Sequence, residues 1–193
     1  MLSAIIATHD SERVLVPTLA ALVPGATAGL LSEVIVADGG STDATAEIAD
    51  VAGCRFMTLT EPLGARLKAA AAVARAPWLM FLRADCVPEP GWVDAVARFI
   101  EKHHGSGGAR AAVFRPIRFA DLSRPGVAEL LALLRIALGG GPKPEQGLLI
   151  AKNFYLRLDG HPAGTGAEAA LLRRIGRRRI AVLASSITVP ADT

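Results

Sequence analysis

Glu33-Val34-Ile35-Val36-Ala37-Asp38-Gly39-Gly40-Ser41-Thr42-Asp43 joins a strand to a helix through a turn. Val34, Ile35 and Val36 are β-branched and apolar in succession, the pattern of a strand buried on both faces of a parallel sheet. The strand stops at Asp38. Gly39 and Gly40 permit backbone angles that side chains forbid and let a ligand approach the main chain. Ser41, Thr42 and Asp43 are each suited to cap a helix beginning near Ala44. A carboxylate thus stands where the carboxyl end of a strand meets a helix N-terminus, the usual ligand crevice of open α/β sheets. A tight βα turn with a capped helix and no ligand is the alternative reading of the same residues.

Working outward, Leu2 to Thr8 reads as a strand, with Thr8-His9-Asp10-Ser11-Glu12 turning into a helix. Leu15, Leu19, Leu22 and Val23 give that helix an apolar face, and Pro24-Gly25 is read as its end. Strands are expected at Arg55 to Leu59 and Trp78 to Leu82, with an Ala-rich helix at Gly64 to Ala74 between them. A helix follows at Trp92 to Lys102, then a strand at Ala111 to Phe114. Val127 to Leu138 reads as a helix, Gln146 to Ile150 as a short apolar segment and Lys152 to Leu158 as a turn or two of helix. The last elements are a helix from Ala167 to Ile175, stopped by Gly176, and a strand from Ile180 to Leu183. Alternating strands and helices predict an α/β fold, a mostly parallel sheet with helices on both faces.

With 193 residues, 51% of them hydrophobic, the chain is sized for one α/β domain over residues 1–193 and is too apolar to be disordered. A formal charge of +3 and an aromatic content of 5% argue against a nucleic-acid binder. Cys54 and Cys86 lack metal-ligand spacing and read as free thiols in a reducing compartment. The N-terminus lacks the features of a signal peptide and no stretch has the length of a membrane span, so a cytoplasmic protein is expected. His103 and His104 read as part of a solvated loop.

Two nucleotide-binding signatures are missing. The turn after the first strand contains no glycine, which excludes the dinucleotide fingerprint, and no Gly-x-x-x-x-Gly-Lys-Ser/Thr run exists. What remains is one acid after the second strand, Asp38, and another after the fourth, Asp85, on one edge of the sheet. Such a cleft suits a nucleoside diphosphate: one carboxylate takes base or ribose donors and the other holds a hard divalent cation on the phosphates.

The Asp-Gly-Gly-Ser-Thr-Asp-Ala-Thr run closely resembles the second-strand motif of family 2 glycosyltransferases, which have the GT-A fold. Phe81-Leu82-Arg83-Ala84-Asp85, followed by Pro88-Glu89-Pro90-Gly91-Trp92, resembles that family's Asp-x-Asp region and its proline turn. Within the family the chain is similar to a small bacterial subgroup with His-Ala-Asp at this place and a later Gly-Asp-Gln-Gly, matched by Pro144-Glu145-Gln146-Gly147. The resemblance covers roughly residues 2 to 183. It implies that Thr8, His9 and Asp10 line a nucleobase pocket and that Asp38, with Gly39 and Gly40, binds the base or ribose. It also implies that Arg66 faces the diphosphate and that Asp85 ligates a divalent cation, Mn or Mg.

The chain departs from the family twice. Arg83 replaces the first acid of Asp-x-Asp, and a cation there can neutralise the diphosphate and weaken the need for metal, or equally repel the ion and leave a crippled site. The family's catalytic Glu-Asp is absent, leaving Glu168 as the carboxylate able to serve as general base, or else as a glutamate favoured by a helix N-terminus. The activity that the resemblance implies is transfer of a sugar from a nucleotide diphosphate sugar to an acceptor hydroxyl, with inversion in the family's manner. The rival is a non-catalytic nucleotide-sugar binding protein with a degenerate site. A nucleotidyltransferase is disfavoured because no glycine- and lysine-rich loop follows the first strand. Arg173, Arg174, Arg177, Arg178 and Arg179 form a basic cluster, a solvated helix end or a contact for anionic headgroups at a membrane surface.

Overall fold

The computed structural model describes residues 1–103, 109–118, 141–164 and 166–189. The expected helix at Val127 to Leu138 lies outside them, as do His104 and the tail from Pro190. One eight-stranded sheet runs in the order β3-β2-β1-β4-β7-β6-β8-β5. Its strands are β1 (Leu2–Thr8), β2 (Leu31–Asp38), β3 (Arg55–Thr58), β4 (Trp78–Arg83), β5 (Val87–Pro88), β6 (Ala111–Arg118), β7 (Leu148–Ala151) and β8 (Ile180–Val189). The helices are α1 (Glu12–Thr27), α2 (Thr45–Val51), α3 (Leu63–Val73), α4 (Trp92–His103), α5 (Lys152–Arg157) and α6 (Ala167–Ile175).

Four strands form the parallel half: β1 pairs in parallel with β2 and β4, and β2 with β3. Leu2, Ala4, Ile5, Ile6, Ile35 and Val36 are wholly buried, as double-sided burial requires. The chain steps from β1 out to β3 and then returns to the far side of β1 as β4. That reversal puts α1 and α2 on one face of the sheet and α3 on the other. It also opens a crevice at the carboxyl ends of β1 and β4, where successive connections leave in opposite directions.

The sheet is mostly parallel, as expected, and the second half carries its antiparallel pairings. β7 lies antiparallel between β4 and β6, β8 runs parallel to β6, and β5 caps the edge antiparallel to β8. β6 extends through Pro116 to Arg118, past the expected end at Phe114, with a register shift between Val113 and Arg115. β7 pairs with β6 only at Ala111 and Ala112, so Pro116 has a ladder to complete on one side alone, where a proline is tolerated. β8 continues six residues beyond Leu183 because strands flank it on both sides, which compensates for the polar Ser185, Ser186 and Thr188.

Pro24-Gly25 does not end α1. Pro17 and Pro24 both lie inside the helix, and the stop comes at Gly29, with φ of 70°. There Leu30 N donates to Gly25 O at 3.1 Å and Gly29 N to Ala26 O at 3.0 Å, the paired bonds of a left-handed glycine cap. Gly25 instead serves packing. A Cβ there would come within 2.4 Å of the Trp92 ring, whose Nε1 donates to Ala21 O at 2.8 Å.

Candidate active site

The ends of three adjacent parallel strands define the site. Thr8 of β1 is level with Asp38 of β2, and Ala7 with Arg83 of β4. A cleft of about 270 Å³ opens there, lined by Ala7, Thr8, His9, Leu63, Arg66, Arg83 and Glu168. Five of the sequence-predicted residues are brought together in it; Asp10, Asp38, Gly39, Gly40 and Asp85 stand around it.

Asp38 is 1% exposed, and both carboxylate oxygens are engaged by its own turn. Oδ1 accepts Thr8 Oγ1 at 2.8 Å and Ser41 Oγ at 2.5 Å; Oδ2 accepts the amides of Gly40 and Ser41, each at 2.8 Å. Burial pushes its pKa up, but the hydrogen bonds from Ser41, Thr8 and Gly40 outweigh it and hold the carboxyl below its ordinary value. Asp38 therefore fixes the shape of the turn. Asp10, at a φ of 46°, knits the same turn to the first loop: its amide donates to Ser41 Oγ at 2.9 Å and its Oδ1 accepts Thr42 N at 2.8 Å.

Of the three residues suited to cap α2, Asp43 does so: its Oδ1 accepts Thr45 N at 3.0 Å, although the residue directly before the helix is Ala44. α1 and α2 cap one another: Glu12 N donates to Asp43 Oδ2 at 3.0 Å, and Ala44 N to Glu12 Oε2 at 3.1 Å. Ser11 N reaches Thr45 Oγ1 at 2.8 Å. This lattice was not legible in sequence because its partners are about thirty residues apart.

Arg66 reaches from α3 to the strand ends. Its Nη1 donates to Thr8 O at 2.9 Å and Ala37 O at 3.1 Å, while its buried Nε has no partner among the described residues. The guanidinium lies against the main chain of Gly39, where a Cβ would stand 2.6 Å from Nη1. Lys68, on the same helix, instead pairs with Asp159 at 2.6 Å on the surface.

Arg83 and Asp85 form a forked pair at the end of β4. Arg83 Nε donates to Asp85 Oδ1 at 3.1 Å and Nη2 to Oδ2 at 2.7 Å. Burial works against the charge on Arg83, but the Asp85 bond outweighs it and raises the pKa, keeping the guanidinium protonated. The expected role of Asp85 as a metal ligand meets this pair. Both its oxygens are bonded to a cation. The donor set does not fit a divalent cation held at Asp85.

Glu168 stands in the first turn of α6 and lines the cleft. Burial raises its pKa, Arg83 pulls it down, and Asp85 and Glu145 push it up; the balance lies above the ordinary value. Its placement depends on Gly64, where a Cβ would be 2.0 Å from Pro162 O and 2.7 Å from Ala167 Cβ. Only a glycine lets α6 pack this closely on α3. Below lie Tyr155 and His161, buried and 2.8 Å apart between the hydroxyl and Nδ1. Burial lowers the His161 pKa to about 4, so it is neutral at ordinary pH. The Pro144-Glu145-Gln146-Gly147 turn closes one side: Gln146 Nε2 donates to Phe114 O at 3.0 Å and its Oε1 accepts Lys143 N at 2.6 Å.

Residues 3–157 match the family model described as Glycosyl transferase family 2. The chain belongs to that family. Among solved structures it is similar to residues 1–349 of S. aureus TarS, with 16% identity and a TM-score of 0.72 over 98% of this chain and 60% of that one. TarS 1–349 in complex with UDP-GlcNAc matches at 17% identity and a TM-score of 0.72, over 100% and 59% of the two chains. Glucosyl-3-phosphoglycerate synthase from Mycobacterium tuberculosis, in complex with Mn²⁺, UDP and glucosyl-3-phosphoglycerate, matches at 22% identity and a TM-score of 0.64. That match covers 99% of this chain and 70% of the synthase. No curated protein matches the chain. The chain spans about 60% of the TarS fragment's length, and the shared feature is the GT-A fold.

Proposed function

We propose that this family 2 chain transfers a sugar from a nucleotide diphosphate sugar to an acceptor hydroxyl, with inversion at the anomeric carbon. The observation that carries the reading is the cleft at the strand-order reversal, where a carboxylate of raised pKa, Glu168, lies beside Arg83 and shares the lining with Arg66. UDP and UDP-GlcNAc complexes among the similar structures support a uridine diphosphate sugar as donor.

In the transfer, Glu168 takes the proton of the acceptor hydroxyl as its oxygen bonds to the anomeric carbon. On the opposite face the bond from that carbon to the diphosphate oxygen breaks. The charge left on the diphosphate is met by Arg83 and Arg66, whose guanidinium groups are already placed. A raised pKa suits Glu168 to the task, since a base works best with a pKa near the operating pH. Thr8 and His9 border the nucleoside. Asp38 and Asp10 act through the turn they hold, with Gly39 and Gly40 presenting main chain to the ligand. The exposed arginines from Arg173 to Arg179 offer a surface for an anionic membrane or a phosphorylated acceptor, and among the described residues no helix is long and apolar enough to cross a membrane.

Replacing Glu168 by Gln tests this. Turnover should fall by roughly 10²–10⁴-fold with donor affinity unchanged. Near wild-type turnover removes Glu168 as base. Binding of UDP-sugars without turnover across a broad acceptor panel would favour the nucleotide-sugar binding protein instead.

A further inference from the structure

We propose that Arg83 is the resident counter-cation for the donor's diphosphate and that Asp85 positions it, so that this chain binds its nucleotide without a divalent metal. The inference rests on the cleft being a nucleotide-diphosphate-sugar site and goes further by assigning how that site handles charge.

Arg83 ends β4 beside Ala7 of β1, at the strand-order reversal, and it lines the cleft. Asp85 accepts from Nε and Nη2 with one oxygen each, which fixes the guanidinium plane. A guanidinium carries five N–H donors, so three remain for other oxygens. Those donors form a planar fork that matches phosphate bidentately, on a group that keeps its charge at any working pH.

A metal entering at Asp85 would meet the opposite situation. It would approach a carboxylate already neutralised at 2.7 Å, with a fixed positive charge beside it. The Cys86 thiol also donates to Asp85 Oδ1, at 3.4 Å. The other nearby acids also face cations: Glu145 lies 3.6 Å from Lys143, and Glu168 faces Arg83. Arg66 forms the other wall, so the described lining of the cleft offers the diphosphate two guanidinium groups beside a single carboxylate, Glu168.

Calorimetric titration with UDP, in Mn²⁺ and in EDTA, reads this directly and needs no turnover. Wild-type affinity should agree within about two-fold between the two buffers. Arg83→Ala should lose about 10-fold or more in both, the effect of removing charge-assisted hydrogen bonds. Arg83→Asp should bind poorly in EDTA and recover in Mn²⁺, because two carboxylates then face a hard ion. A wild-type loss of about 10-fold or more in EDTA overturns the proposal, and so does an Arg83→Ala variant that binds UDP like wild type in EDTA. If UDP binds in neither buffer, the nucleotide-sugar reading itself falls, and the proposal with it.

Discussion

Asp38 ends β2 and Asp85 follows β4, the two parallel strands that flank β1, yet their carboxylates live under opposite conditions. Asp38 is buried and receives four hydrogen bonds from the two loops it joins. Asp85 sits beside the cleft with a partly exposed side chain, bonded to one arginine and one thiol. The first carboxylate holds the frame and the second holds a charge in place at the cleft. Position at a strand's carboxyl end gives an acid access to a ligand crevice, but its neighbours decide whether its oxygens remain available.

The largest effect expected from this contrast is on folding. Asp38→Ala strands the amides of Gly40 and Ser41 and the hydroxyls of Thr8 and Ser41. A fully buried donor left unpaired costs about 1–3 kcal/mol, and these two amides are half-buried, so together they cost about 1–3 kcal/mol. Urea unfolding should show a midpoint shifted by that loss, and a shift near zero would dissolve the distinction between the two turns. A subtler version uses acid. The Asp38 pKa is held below its ordinary 3.8, so its contribution to stability is present above that pH and disappears as pH falls through the folded-state value. Asp38→Asn should be less stable than wild type at neutral pH, with the gap narrowing in acid. A gap constant down to pH 2 would mean that the Asp38 charge contributes nothing.

The same contrast explains what could be read from sequence. The apolar β-branched run ending in an acid and two glycines identifies β2 and its turn because it is local. Thr8, His9, Arg66, Arg83 and Glu168, singled out through the family resemblance, line one cleft. What stayed hidden depends on contacts across long separations. Nothing local shows that Asp43 caps α1 while Glu12 caps α2, or that Gly64 exists to admit Pro162 and Ala167. Pro24-Gly25 misled because a stop signal in sequence was a packing site for Trp92, a residue far along the chain. The antiparallel insertion of β7 was hidden for a similar reason: Leu148 to Ala151 is apolar in either orientation, and only its partners fix the direction.

The smallest expected effect is the one that separates frame from charge most cleanly. Asp85→Ala removes a carboxylate from a pair whose arginine side chain is 46% exposed, and a pair of that kind is worth about 0–1 kcal/mol to folding. Its urea midpoint should therefore stay close to wild type while that of Asp38→Ala moves far. The consequence should instead appear in the cleft. Arg83 keeps its charge but loses the fork that fixes its plane, so more side-chain freedom is lost when a diphosphate binds, about 0.5–1.5 kcal/mol for one immobilised long side chain. UDP affinity should fall by about 2- to 10-fold, in EDTA and Mn²⁺ alike. A loss of stability matching that of Asp38→Ala would make Asp85 a second frame residue. An affinity loss confined to Mn²⁺ buffer would return it to the role of metal ligand.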